Sequence, residues 1–393
     1  MALPRIDDAE RRRRLSVRHA LAVPAASTEE VARSVVALHS TDPASMTLAV
    51  AARLKRPDVA DLERALYEER TVVRVLAMRR TVFAVPADLA LACLAATADS
   101  VAAPERRKLL AMLRDSAVSD DPETWLDTAH RTAQDAIERL GTFSSAELAA
   151  ADPLLATRIE IGAGTKYATR QSIASRLLTV MSAEGHVVRA RPAGAWASTQ
   201  FRWAAMRGWS DHLVEPTDAA SAAVEIARRW LLAYGPARPE DLQWWTGWTK
   251  RATVAALAPL ETVEVEGDEG PLIALADDLE PTPEPAPWVA LLPALDSTTM
   301  GWKHRDWYIG PHRPALYDTN GNAGPTIWAD GRVVGGWTIR DDGTVGVRLL
   351  DDPGSTARDA IDSAAHRLEV FLDGTVIRAR ARGWTPVERE LRS

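Results

Sequence analysis

The stretch TRQSIASRLLTVMSAEGHVVRARPAGAWASTQFRW, residues 169–203, decides the fold. Ile173, Leu177, Val180 and Met181 recur at helical spacing, so the sequence predicts a helix from about Thr169 with one apolar face and Gly185 as its stop. Beyond Gly185 the pattern becomes alternating, HVVRARPAGAWASTQFRW, around a turn at Pro192–Gly194, which predicts a β-hairpin. Upstream, FSSAELAAADP opens another helix with a capping box formed by Ser144 and Glu147. Helix, helix, then hairpin is the order of a winged helix, a helix-turn-helix carrying a β-ribbon wing.

The same order is read twice more. STEEVARSVVAL begins with a second capping pair, Ser27 and Glu30, and sets Val31, Val35 and Leu38 on one face. After two further helical stretches, TVVRVLAMRRTVFAVP (71–86) is rich in β-branched residues and broken near Arg79, as a hairpin would be. The third instance has two helices, an amphipathic helix from about Thr249 to Leu257, and the strand-like ETVEVEG, the weakest of the three wings. DDLEPTPEPAP (277–287) carries proline at alternate positions and reads as a semi-rigid linker. Beyond it lie four strand-like segments, WVALLPA, PTIWA, RVVGGWTI and TVGVRLL. Asp330-Gly331 and Asp342-Gly343 are placed as two-residue turns between the last three, giving a three-stranded meander, and a helix follows from roughly Ser355 to Leu372. The expected fold is α+β, mainly helical: three tandem winged-helix units (1–115 with an N-terminal helix, 120–212 and 217–278) plus a small C-terminal β-rich module (286–393).

At 393 residues, with 46% hydrophobic and 26% charged positions, the chain has the composition of a soluble protein with more than one core. The longest apolar runs are well short of the ~20 residues a membrane span needs. The start, MALPRIDDAERRRRLSVRHAL, has no secretory hydrophobic region, so a cytoplasmic protein with no membrane partner is expected. The single cysteine, Cys93, sits in an alanine-rich helical pattern and reads as a buried small hydrophobe. The histidines form no HExxH and no close pair besides His304 and His312, so neither a metal nor a cofactor is expected. GAGTK (162–166) does not complete a phosphate-loop spacing, and Tyr167 stands where that motif needs a metal-binding serine or threonine. Net charge is −7, which argues weakly against a polyanionic partner. Against that, the arginines cluster at Arg11–Arg14, at Arg79 and Arg80, and at Arg189 and Arg191, and arginine is the better fork for phosphates.

Five stretches carry a resemblance: LHSTDPASMTLAVAARL (38–54), MRRTVFAVPADL (78–89), WLLAYGPARPEDLQWWTGW (230–248), LLPALDSTTMGWKHRDWYIGPHR (291–313) and NGNAGPTIWADGRVVGGW (320–337). Together they resemble the bacterial winged-helix DNA-binding family of the YcaQ and AlkZ crosslink-repair DNA glycosylases, from about Ser27 to the C-terminus. The resemblance implies three tandem winged-helix units around a duplex, and excision of alkylated purines, including those in interstrand crosslinks. It also places a short Gln-x-Gln or Gln-x-Asp catalytic motif where this chain has His39-Ser40-Thr41, a departure at both polar positions.

Alkylation of a purine ring nitrogen makes the base a cationic leaving group. What remains is to hold a water and stabilise an oxocarbenium-like sugar. An amide can orient the water, whereas an imidazole can also accept its proton. His39 is expected at the C-terminal end of the Ser27 helix, where exposed carbonyls would raise its pKa. Packing against Val35 and Val36 is the structural alternative. Thr41 could add a hydroxyl to the same water, while Ser40 points away from His39. Asp42 before Pro43 reads as a helix N-cap, a role compatible with facing a cleft. Candidate catalytic residues are thus His39, Thr41 and Asp42.

Double-stranded DNA, alkylated or crosslinked, is the expected partner. Its candidate contacts are Arg79 and Arg80 at the first hairpin, Arg170 and Gln171 at the start of the Thr169 helix, and Arg191 in the wing. The expected activity is that of a monofunctional glycosylase. A non-catalytic duplex-binding protein or regulator, and a protein-binding winged-helix array, are the alternatives.

Overall fold

A computed structural model describes residues 3–161, 169–375, 377 and 383–393. The GAGTK segment lies outside the described residues. The architecture is α+β and mainly helical, with small antiparallel sheets.

The N-terminal helix, Asp8–Arg18, is capped by the Asp7 carboxylate on the Glu10 amide. Its arginines are structural. Arg14 is buried, bonding the Glu10 carboxylate at 2.8 Å and the Asp278 and Glu280 carbonyls at 2.9 and 3.0 Å. Glu10 in turn accepts from the Thr282 amide. The proline-rich linker cannot form its own backbone ladder, so this helix fastens it down.

In the first segment the helix Thr28–Ser34 ends earlier than its apolar pattern suggests. Val35 and Val36 are β-branched, and Val36 takes a left-handed φ of 62° that turns the chain out of the helix. Strand β1 (Leu38–His39) follows, so His39 belongs to a sheet rather than to a helix end. The hairpin of β2 (Val72–Ala77) and β3 (Thr81–Pro86) forms around Met78–Arg80, as its β-branched run predicts. β1 adds to it in the order β1-β3-β2, with Leu38 opposite Ala84 and His39 opposite Phe83. Asp42 then caps the helix Pro43–Ala51, with Pro43 in its first turn.

In the second segment the helix begins at Ala174, not Thr169. β4 (Arg158–Ile161) and β5 (Thr169–Ser172) pair antiparallel, with Glu160 opposite Arg170. Arg170 and Gln171 are therefore strand residues, correcting the expectation of a helix start. Cross-strand pairing to the nearby β4 overrides what is locally a weak helix propensity. Ile173, Leu177, Val180 and Met181 are buried, as their spacing requires, and Gly185 ends the helix at φ 82°. β6 (Val187–Ala190) and β7 (Arg202–Ala205) complete the hairpin.

The third segment closes with β8 (Thr262–Gly267) and β9 (Gly270–Leu275), a full hairpin whose second strand the sequence pattern did not mark. Past the linker, β10 (Val289–Leu292), β11 (Thr326–Ala329), β12 (Arg332–Ile339) and β13 (Val345–Leu349) make a four-stranded antiparallel sheet, one strand more than the expected meander. Asp330 and Gly331 turn with φ 46° and 81°, the positive pair of a two-residue hairpin. The second turn is wider, with Arg340 and Thr344 bonded across it. The helix Ser355–Leu372 packs on this sheet.

The continuous helical run Ala87–Asp115 is long and apolar enough to cross a membrane by length and composition, which the shorter apolar runs of the sequence did not suggest. Half of its most apolar window is buried inside the protein, as for a core helix.

Candidate active site and nucleic-acid interface

Three buried hydrogen bonds shape the turn that carries His39. Tyr234 donates its hydroxyl to the Val35 carbonyl at 2.9 Å, Ser297 donates to the Ala37 carbonyl at 2.7 Å, and Ser40 donates its amide to Val82 of β3 at 2.8 Å. Tyr234 and Ser297 come from WLLAYG and LDST, two of the stretches that carry the resemblance. The adjoining Asp296 is fully buried in a two-pronged pair with Arg53, at 2.7 and 2.8 Å. Such a pair holds its geometry because losing either partner leaves an uncompensated buried charge.

His39 is half-buried, edge-on to Phe83 with ring centroids 5.9 Å apart. It lines a cavity of about 220 Å³ together with Arg79, Thr81, Phe83, Trp245, Leu295, Ser297, Met300 and Asn322. Among the described residues its Nδ1 has no hydrogen-bond partner. Burial, with help from the nearby Arg79 charge, lowers its pKa to about 4, opposite to the rise expected of a helix-end histidine. The ring is therefore neutral near pH 7.

Arg79 sits at the tip of the first hairpin with φ 53°. Its guanidinium lies 4.3 Å from the Trp244 ring, its Nε has no partner, and no carboxylate pairs with it among the described residues. Burial and then Arg305 depress its pKa to about 10, so it stays charged near neutrality. Gly247, itself at φ 75°, admits this side chain, since a Cβ there would lie 3.1 Å from Arg79 Cγ and 3.3 Å from its amide.

The other expected residues do not gather here. Thr41 is exposed and outside the cavity lining. Asp42 is buried and accepts from the Ala44 amide at 3.1 Å and the Ser45 hydroxyl at 3.0 Å. It lines a different, smaller cavity with Trp337 and Glu388, and Leu295 lines both. Ser40 is fully buried, its hydroxyl on Met46 Sδ. Of the expected DNA contacts only Arg79 joins His39. Arg80 is paired with Glu105 through Nε and Nη2, and Arg191 with Glu63 and Glu68. Arg170 and Gln171 are exposed on β5.

Sequence reading missed Trp245, Asn322 and Ser297 because their neighbours in space come from distant segments. It also missed a group of His130, Glu184 and His186, whose ligand atoms lie within 4.8 Å of one another and could hold a metal ion. Arg106 lies 4.0 Å from the same carboxylate and competes for its charge.

The model of the family described as DNA glycosylase AlkZ-like matches residues 32–371. No curated protein matches the sequence. Among solved structures, the DNA glycosylase AlkZ of Streptomyces sahachiroi aligns with a TM-score of 0.73 at 19% identity, covering 93% of this chain and 97% of that one. At that identity the likeness concerns the fold. The family match spans most of the sequence and includes the His39 turn, the Arg79 hairpin and Trp245: the chain belongs to the AlkZ-like DNA glycosylase family.

Proposed function

We propose that the chain hydrolyses the N-glycosidic bond of N7-type alkylated purines, bulky or crosslinked, in double-stranded DNA, as a monofunctional glycosylase of the cytoplasm. In this reading three tandem winged-helix units and the C-terminal β-rich module bind the duplex. One observation carries the proposal: a neutral, half-buried imidazole on the wall of a cavity that also holds Arg79 and Trp245, its buried Nδ1 without a partner among the described residues. The cavity is smaller than the roughly 300–1,000 Å³ of drug-sized ligand sites, which suits a single extruded base. His39 orients a water and takes its proton as the bond to the cationic base breaks. The depressed pKa keeps His39 uncharged beside the oxocarbenium-like sugar until water attacks, and because a base of pKa near 4 is weak, its larger share is to orient the water, with the proton passing on to solvent. Arg79 would repel the sugar if left alone, and pairing with a phosphate beside the extruded nucleotide neutralises it. Among the described residues none that lines the cavity is a lysine, and simple hydrolysis needs no side-chain amine. Asp42 acts by fixing the turn, and Thr41 reaches the duplex from the surface.

The second reading, a duplex-binding protein without catalysis, draws on the positions of Thr41 and Asp42 outside the cavity. Purified protein incubated with N7-methylguanine DNA and with a crosslinked duplex separates the two. Free base and alkali-labile sites support hydrolysis, whereas tight binding with no release from either substrate leaves only the second reading.

A further inference from the structure

A separate cavity of about 160 Å³ opens between the first and second hairpins, lined by Arg74, Arg80, Arg189, Thr179, Ser182 and Trp203, with apolar side chains filling the remainder. Arg74 projects from β2 and is only 2% exposed. Its Nη2 donates to the Ser40 carbonyl at 3.0 Å, while its Nε and Nη1 have no partner among the described residues. Arg189 projects from β6, its guanidinium 4.3 Å from both the Phe201 and Trp203 rings, with Nη1 unpartnered among the described residues. Neither arginine forms an ion pair with a carboxylate among the described residues. Arg80, on the same wall, is already neutralised by Glu105.

A buried and a half-buried guanidinium lining one cavity without an anion are costly, because each is desolvated and each repels the other. Burial and the Arg74 charge accordingly press the Arg189 pKa down to about 9. The aromatic faces hold Arg189 in place without consuming its donors. Three idle N–H-bearing nitrogens on two fixed forks, with the Thr179 and Ser182 side chains alongside, match a tetrahedral oxyanion.

From this geometry we infer that Arg74 and Arg189 form a phosphate site, and that its occupant is a backbone phosphodiester of the bound DNA strand. The inference rests on the DNA-binding reading above. Arg74 ties the site to the functional turn through the Ser40 carbonyl, next to His39, so a phosphate seated here fixes the strand relative to the imidazole. The residues are positioning residues rather than catalytic ones.

The test uses undamaged duplex, so it does not depend on base release. Duplex affinity is measured across a salt series for wild type, Arg189→Gln and Arg74→Lys. Thermal stability is measured in parallel with inorganic phosphate against chloride at matched ionic strength. Wild type should be stabilised by phosphate and Arg189→Gln should not. Arg189→Gln should also lower the slope of log affinity against log salt by about 0.9, the value for one phosphate contact on duplex DNA. Arg74→Lys keeps the charge and should retain the slope while weakening affinity, since the fork is lost. Phosphate stabilisation lost in Arg189→Gln with an unchanged slope would overturn the phosphodiester assignment in favour of a free phosphate or nucleotide. Absence of phosphate stabilisation in wild type, together with equal slopes, would overturn the site altogether. Loss of base release with these slopes intact would strike the glycosylase reading and leave this inference standing.

Discussion

Lowering the pH perturbs His39 without altering any side chain. With its pKa near 4, roughly 3% of His39 is protonated at about pH 5.5, against roughly 90% of an ordinary imidazole. A neutral His39 acting on water should therefore keep single-turnover base release flat from neutral pH down to about pH 5, with an acid limb centred near 4. The shift from 6.5 to about 4 corresponds to about 3 kcal/mol of preference for the neutral ring. The assay is release of N7-methylguanine from a saturated duplex at each pH, corrected for loss in the absence of protein. Arg79→Gln removes the smaller of the two lowering causes, so its limb should move up without reaching 6.5, burial being the larger. A wild-type limb at 6.5 would refute the reasoning, because it would require an exposed imidazole or a different base.

Folding stability should also fall in acid. His19 is fully buried between Thr298 and the Ala233 carbonyl, and burial with the Arg53 charge lowers its pKa to about 3. A depressed histidine contributes no penalty above its unfolded value of 6.5, and stability is lost as pH falls below that toward the folded value. Each of His19 and His39 should thus remove about 2 kcal/mol between pH 7 and 5, read from urea midpoints, and equal midpoints at the two pH values would contradict this. Gly247→Ala should cost roughly 1–2 kcal/mol through its left-handed φ and displace Arg79, weakening duplex binding along with the Tm. Asp42→Asn keeps the cap and should leave base release within a few-fold, whereas Asp42→Ala should lose about 1 kcal/mol of stability. A hundredfold loss of release in Asp42→Asn would give the carboxylate a chemical role beyond capping.

Local chemistry made much of the fold legible. Capping side chains at Ser27, Asp42 and Ser144, the broken β-branched run at 71–86 and the apolar stripe from Ile173 to Met181 each act within a few residues of themselves. The family resemblance is borne out by the match over residues 32–371. Errors arose where pairing with another strand, distant for β1 and near for β5, decides. β1 exists because β3 offers Leu38 and His39 a ladder, and β5 because β4 does the same for Thr169–Ser172. The site suffered for the same reason. Whether an arginine is free depends on carboxylates elsewhere, so Arg80 and Arg191 looked like phosphate contacts yet hold Glu105, Glu63 and Glu68. Arg74, hidden inside an apolar run, gave no local sign of being unpaired.

The proposal turns on His39 itself. Single-turnover base release and duplex affinity, measured side by side for wild type and His39→Ala, address it directly. Loss of a general base predicts release slowed by about 10²–10⁴-fold while affinity for the damaged duplex changes little. Release at the wild-type rate from the alanine variant would contradict the account and move the chemistry to another residue.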